Sequence, residues 1–288
     1  MIVSRSKIDR IKGALYGAAI GDAMGATTEF LTPTEIGALH GEVKDIIGGG
    51  QFGWQPGEVT DDTQMSFCIM RAVQAAESGG AIDKEKFEAK VAEEFIQWYR
   101  SGPKDVGNAC AKGIRALIDG KVCDSSQAFG NGGLMRALPL ALIGELELNV
   151  IQNNLTHNNP QCHKAIWIHH RVIQYYLEHG SLYMGPDDIS YSTPMEPTGH
   201  VINTLNNALY YTYVSCTMAD AILWPVNAGG DADTIACIAG GLAGTKWGMD
   251  EIPVRWVRQL LPEVRERLDQ YLDWSRGYLE RKAARMAV

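Results

Sequence analysis

The sequence has six cysteines, Cys68, Cys110, Cys123, Cys162, Cys216 and Cys237, and no two of them form a CxxC pair. That leaves no zinc-ribbon or dithiol motif, and the scattered thiols read as reduced and mostly buried in a cytoplasmic protein. Positive charge is scarce too. With 26 Lys and Arg against 34 Asp and Glu, the net charge is −8. A chain of that balance lacks the basic face that binding to a phosphate backbone requires, so nucleic acid is not an expected partner. Long apolar runs are missing: the stretch from Gly13 to Thr28 is interrupted by Asp22 and is too short and too polar to span a bilayer. The N-terminal MIVSRSKIDRIKG is charged and has no apolar h-region, so no signal peptide is expected there. No set of segments alternates with period two and no repeat of fixed length is visible, which excludes a sheet-built core and a solenoid.

What is present is helical rhythm. Phe87, Val91, Phe95, Trp98 and Tyr99 recur at steps of three and four. Ile166, His170, Ile173 and Leu177 form a second stripe, and Leu261, Val264, Leu268, Tyr271, Ser275 and Tyr278 a third. The chain of 288 residues, 45% hydrophobic, can bury one large core and supply roughly a dozen helices. Two stretches rich in Gly and Ala, 13–26 and 235–244, predict central helices that pack closely. The expectation is one all-α domain over 1–288, a compact multi-helix bundle, with the stretch 180–197 as its candidate mobile loop.

Two short clusters of oxygen side chains interrupt this pattern. Thr60-Asp61-Asp62-Thr63 stands before the apolar run from Met65 to Ala76. A helix cap accounts for part of it, since Asp61 with Gln64 three residues on fits a capping box, but a cap needs only one such side chain. Gly229-Gly230-Asp231-Ala232-Asp233-Thr234 echoes the composition before another helical run. Its two glycines permit the turn that would let Asp231 and Asp233 face one pocket. If the clusters meet, their carboxylates repel unless cations intervene, and an all-oxygen set suits Mg²⁺ or Mn²⁺ rather than zinc.

These two clusters, with GALYGAAIGDAMGATTE at 13–29, KDVGN at 104–108, GNGGLMR at 130–136 and THNNP at 156–160, stand in an order that resembles the ADP-ribosylglycohydrolase family. The likeness is closest to its dinitrogenase reductase-activating branch and runs from about residue 10 to about residue 260. The resemblance implies an all-α bundle with a binuclear Mg²⁺ or Mn²⁺ site held by Glu29, Thr60, Asp61, Asp62, Asp231, Asp233 and Thr234. It implies catalytic roles for Asp62, Asp105 and Asp231, and substrate contacts from Asp105, Gly107, Asn108, Gly130, Asn131, Gly132 and His157. The expected activity is metal-dependent removal of ADP-ribose from modified protein arginine, such as that of dinitrogenase reductase. The partners are then an ADP-ribosylated protein and ADP-ribose as product. Two alternatives stand beside it: hydrolysis of another ADP-ribose linkage, serine-linked or in a free derivative, and a catalytically silent regulator that binds ADP-ribosylated partners.

Several of these residues also have plainer readings. Asp105 could be the N-cap of a helix over 107–118, and His157 a cap or a core histidine. His163, His169 and His170 read as structural. His200 departs from the branch, whose members carry a tyrosine near that position, so adenine or partner contacts are expected to differ there.

Overall fold

The computed structural model describes residues 4–180 and 193–287; most of the proposed mobile loop, at 181–192, lies outside the described residues. Fourteen α-helices follow one another among the described residues. They are α1 (Arg5–Gly25), α2 (Pro33–His40), α3 (Asp61–Ala76), α4 (Lys84–Arg100), α5 (Asn108–Ile118), α6 (Gly132–Met135) and α7 (Leu138–Leu142). After these come α8 (Leu146–Asn154), α9 (Pro160–His179), α10 (Val201–Val214), α11 (Met218–Ala228), α12 (Ala232–Trp247), α13 (Val254–Gln259) and α14 (Pro262–Met286). The only sheet among the described residues is a two-residue ladder pairing Glu77 with Ile82 and Ser78 with Ala81. The all-α expectation is met, and no helix is long and apolar enough to cross a membrane among the described residues. All six cysteines are unpaired, and four of them are buried.

The middle of the bundle is an antiparallel pair, α1 against α12, and small residues make it. Gly13, Gly17, Gly21 and Gly25 recur every four residues along one face of α1. Opposite them stand Gly244, Gly240, Ala236 and Ala232 in reverse order. A Cβ on Gly21 would lie 2.1 Å from the Ala236 carbonyl oxygen, and one on Gly17 2.3 Å from that of Gly240. From the other side, a Cβ on Gly244 would lie 2.0 Å from the Gly13 oxygen. The two backbones are therefore in direct contact, and no larger side chain fits between them.

The other helices pack around this pair: α10 and α11 against α12, α14 against α1, α3 against α4, and α7 and α8 against α9. Their buried faces follow the stripes read from the sequence: Phe87, Val91, Phe95 and Trp98 on α4, and Val264, Leu268, Tyr271, Ser275 and Tyr278 on α14. Tyr271 and Tyr278 keep their hydroxyls satisfied by donating to the Pro139 carbonyl at 2.8 Å and to Glu145 Oε1 at 2.5 Å.

The seam gives a direct test. Gly21→Ala is expected to lower the thermal midpoint by several degrees, since overpacking of this kind costs about 1–3 kcal/mol or more. Gly37→Ala, on the exposed face of α2 with no atom within 4 Å of the added Cβ, is expected to leave the midpoint unchanged or raise it slightly. Paired melting curves read the difference. Equal midpoints would refute the close backbone contact.

Candidate active site

The seam places the end of α1 beside the start of α12, and the chemistry gathers at that end of the bundle. Asp22, in the last turn of α1, is fully buried. Its carboxylate accepts the backbone N–H of Thr60 at 3.0 Å and of Thr63 at 3.1 Å. One helix thus caps another, and Asp22 fastens the start of α3 to the seam. The sequence reading treated Asp22 only as an interruption. The available signal was a lone charge inside a Gly/Ala-rich helix, which cannot be buried without partners of its own.

With its first N–H groups partly satisfied from outside, α3 does not use the predicted capping box. Thr60 is the cap, its Oγ1 accepting from Asp62 N at 3.3 Å. Gln64 faces elsewhere: its Nε2 donates to the Val59 carbonyl at 2.7 Å and its Oε1 accepts the Trp98 indole N–H at 2.8 Å. The buried indole of α4 needs an acceptor, and Gln64 supplies it. Asp61 and Asp62, both buried, are left without a capping role. Asp62 Oδ2 receives the Thr234 hydroxyl at 3.3 Å across the site, while Oδ1 has no partner.

The second cluster is held by a zipped pair of loops. Phe30 N–H donates to the Gly230 carbonyl at 2.7 Å and Gly230 N–H to that of Leu31 at 3.0 Å. Gly230 adopts φ +66°, where a Cβ would also meet the Pro197 oxygen at 2.1 Å, so glycine is required there. Phe30 is the one non-glycine residue at positive φ among the described residues, at 63°, a conformation that stores strain. This pairing sets Glu29 against Asp231 and Asp233. Asp231 opens α12 without capping it through its side chain, and its Oδ2 instead accepts Asn131 Nδ2 at 2.6 Å and the Thr204 hydroxyl at 3.5 Å. Asp233 Oδ1 accepts Thr234 N–H at 2.8 Å.

The two clusters do meet. Carboxylate oxygens of Glu29, Asp231 and Asp233 lie within 4.8 Å of one another, and so do those of Asp61, Asp105 and Asp233. Asp233 belongs to both groups. Burial pushes every one of these acids up. Asp22 and Asp231 rise to about 6, each restrained by the hydrogen bonds it accepts. Glu29 rises to about 9, with repulsion from Asp105, Asp231 and Asp61 adding to its burial. Asp61, Asp62 and Asp233 are raised as well, by burial first and by neighbouring carboxylates second. Glu29 Oε2 and Asp62 Oδ1 are buried with no hydrogen-bond partner. An oxygen-only donor set with two orphaned carboxylate oxygens fits a hard divalent cation, so the acidic clusters can hold a metal ion.

A cleft of about 780 Å³ opens over the acids. Glu29, Asp61, Asp62, Asp105, Asp231, Asp233 and Thr234 line one part of it; Gly107, Asn108, Gly130, Asn131, Gly132 and His157 line another. Of the metal-holding, catalytic and substrate-contact residues that the resemblance implies, Thr60 alone does not line the cleft and lies behind it, against Asp22. Asp105 is not a helix cap. Gly107 holds that position before α5, with no side-chain cap. Lys104, beside Asp105 in sequence, is drawn away into a 2.6 Å ion pair with Glu58. Burial raises Asp105 above the usual carboxylate range.

On the other wall, Asn131 N–H donates to the Gly199 carbonyl at 3.1 Å, and Gly130 bridges to His200. His200 caps α10 through its ring and lies parallel to Phe129, centroids 6.0 Å apart. His157 is buried under the glycine loop, with Thr156 Oγ1 2.7 Å from its Nδ1. His163 pairs with Asn154 Oδ1 at 2.6 Å, while His169 and His170 are buried and held neutral, consistent with structural roles. A second residue that sequence reasoning passed over is Arg136, quoted within GNGGLMR but given no role, which is fully buried beneath the same loop.

The sequence model of the family described as ADP-ribosylglycohydrolase matches residues 4–189 and 171–285. An ADP-ribosyl-[dinitrogen reductase] glycohydrolase of Rhodospirillum rubrum is 34% identical, over 92% of this chain and 95% of that one. An ADP-ribosylarginine hydrolase, Tri1, of Serratia proteamaculans (strain 568) is 28% identical, over 92% of this chain and 79% of its own. A solved structure described as an ADP-ribosylglycohydrolase-related protein complex superposes with a TM-score of 0.78 at 25% identity, covering 97% of this chain and all of that one.

The acid cluster predicts an inverted pH dependence of stability once divalent cations are chelated. Acids whose folded pKa is raised contribute stability that is fully present below their unfolded values near 4 and is lost as pH rises through the folded values. For Asp22 and Asp231 that window closes at about 6, and for Glu29 at about 9. The thermal midpoint of chelated protein is expected to fall steadily from pH 5 to pH 9, and excess Mg²⁺ or Mn²⁺ to restore it at the upper end. A midpoint that climbs over this range without cations contradicts the assignment.

Proposed function

The chain belongs to the ADP-ribosylglycohydrolase family and is a hydrolase of ADP-ribose linkages, and from that premise we propose that it removes ADP-ribose from modified protein arginine, using two Mg²⁺ or Mn²⁺ ions. The observation that carries the reading is the convergence of Glu29, Asp61, Asp62, Asp105, Asp231 and Asp233 on one cleft, with no protein cation paired to them among the described residues. Charge gathered at that density calls for cationic ligands, and the proposal assigns two kinds.

The first kind is metal. Glu29, Asp61, Asp62, Asp231, Asp233 and Thr234 are the residues that would hold it, with Thr60 bracing Asp62 from behind. When bound, the divalent ions would supply Lewis acidity and positive charge to the reaction. The protein's own groups do the rest. Asn131 and Thr204 fix the direction of Asp231 through the hydrogen bonds it accepts. Asp62, held by Thr60 and Thr234 at one oxygen, lines the cleft with the other left unpartnered. An ionised carboxylate of this pair accepts the proton of the attacking water as the glycosidic bond lengthens and the sugar gains oxocarbenium character. The backbone N–H groups of Gly130 and Gly132, in the loop that lines the cleft, suit the diphosphate, while that of Asn131 is taken by the Gly199 carbonyl.

The second cation is the target's guanidinium. Asp105 lines the cleft beside the acids, and the cation next to it in sequence is engaged with Glu58. A planar guanidinium offers a carboxylate two parallel hydrogen bonds, which a serine linkage cannot. The electron pair of the broken bond stays on the guanidine nitrogen, which leaves neutral; the proton taken from the attacking water is then passed to it, and the resulting guanidinium pairs again with Asp105. The Rhodospirillum and Serratia relatives, named for dinitrogen reductase and for arginine, support the same substrate class.

Turnover of ADP-ribosyl-arginine, with ADP-ribosyl-serine in parallel and with each metal added or chelated, tests the reading. Metal-dependent release of ADP-ribose from the arginine substrate is expected. Turnover confined to the serine substrate would shift the activity to another linkage, and turnover of neither would favour a silent binder. Asp62→Asn and Asp231→Asn are expected to abolish activity while circular dichroism keeps the helical signal. Asp105→Asn is expected to cut arginine-substrate turnover at least tenfold, since a charge-assisted contact is worth about 1.5–3 kcal/mol, and to leave ADP-ribose affinity nearly unchanged.

A further inference from the structure

Arg136 is a buried cation that forms no ion pair with any described carboxylate, an arrangement that costs stability unless its donors are put to use. Every nitrogen of its guanidinium is engaged. Nε donates to Gln152 Oε1 at 2.6 Å. Nη1 faces Cys110 Sγ at 3.4 Å and Met65 Sδ at 3.6 Å, and the Phe95 ring lies 4.6 Å from the guanidinium carbon. Nη2 donates to the Gln152 carbonyl at 3.2 Å and to Thr156 Oγ1 at 2.6 Å.

A guanidinium can only donate, so one lone pair of the Thr156 oxygen is taken by it, and the hydroxyl keeps one proton to give. Among the described residues that proton has one acceptor within reach, His157 Nδ1 at 2.7 Å, and this sets the direction of the contact. If that nitrogen accepts, the ring proton resides on Nε2. Nε2 lies against the glycine loop, 3.2 Å from where a Cβ would stand on either Gly130 or Gly132. His157 lines the cleft, and Nε2 has no hydrogen-bond partner among the described residues.

We propose that Arg136 and Thr156 are positioning residues that lock His157 as the Nε2–H tautomer, so that it presents a fixed N–H donor to an anionic oxygen of the ligand. The ligand class, a diphosphate, rests on the function proposed above; the tautomer does not. Burial and the charge of Arg136 keep the ring neutral, with its pKa lowered to about 3. A chain that starts at a cation polarises each hydroxyl and ring along it, which strengthens the terminal donor. The positive charge thus reaches the cleft without Arg136 itself being exposed there.

The experiment is ¹⁵N NMR of the histidine side chains in ligand-free full-length protein, with His157 assigned from the spectrum of His157→Gln. The expected spectrum has His157 protonated at Nε2 and unprotonated at Nδ1, unchanged down to pH 5. Thr156→Val, which keeps the shape and removes the hydroxyl, is expected to lose this single tautomer and to bind ADP-ribose about tenfold more weakly. Thr156→Ser is expected to restore both. Wild-type His157 carrying its proton on Nδ1, or a Thr156→Val spectrum identical to wild type, would overturn the proposal. A wild-type protein with the expected tautomer but no affinity for ADP-ribose would instead count against the proposed function and against a diphosphate as the recipient of the donor.

Discussion

Everything at the cleft hangs on two helix backbones touching. Glycines every four residues on α1 meet glycine and alanine on α12, and the antiparallel contact fixes where each helix ends relative to the other. That register sets Glu29 beside Asp231 and Asp233, and it sets Asp22 where it can reach the start of α3. From there the rest is transmitted by hydrogen bonds: Asp22 to Thr60 and Thr63, Thr60 to Asp62, Thr234 to Asp62, Asn131 to Asp231. The acids are therefore placed by main-chain register and held there by side-chain hydrogen bonds.

Such a cluster works against folding. Burial and mutual repulsion both raise its acids, and two carboxylate oxygens have no partner within the protein. The N-termini of α3 and α12 offset part of this charge, with the Thr60 and Thr63 N–H groups donating to Asp22 and that of Thr234 to Asp233. The remainder is a standing demand for cations. On the far wall the logic is reversed: Arg136 is a buried cation with no anion of its own, sitting beneath a loop of glycines. The two walls carry complementary excesses, negative where metal and guanidinium are proposed to sit and positive where phosphate is proposed to lie.

Much of this could be read from the sequence. The stripes on α4, α9 and α14 repeat at helical period and are buried as expected, because amphipathic packing depends only on local spacing. The acid clusters stood out because several oxygen side chains before a helix exceed what capping requires. What escaped reading was set by distant partners. Asp22 acts on residues 38 and 41 positions further on, so no local pattern marks it. Gln64 left the predicted capping box because the indole of Trp98, on another helix, claimed it. The plainer alternative for Asp105, a helix cap, fails because Gly107 fills that place. Arg136 was hidden inside a glycine motif, and only burial shows that it is spent on the interior.

The seam also dictates when the site can come into being. α1 precedes, and α12 follows, most of the other described helices, so their contact closes a very long loop of chain. Contacts of that separation form late, once the intervening segments have collapsed and shortened the effective loop. Until then Asp22, Glu29, Asp61 and Asp62 remain in water, far from Asp231 and Asp233, and their charges cost nothing. A ribosome-bound chain that has not yet released α12 therefore lacks Asp231 and Asp233 and cannot assemble the acidic cluster.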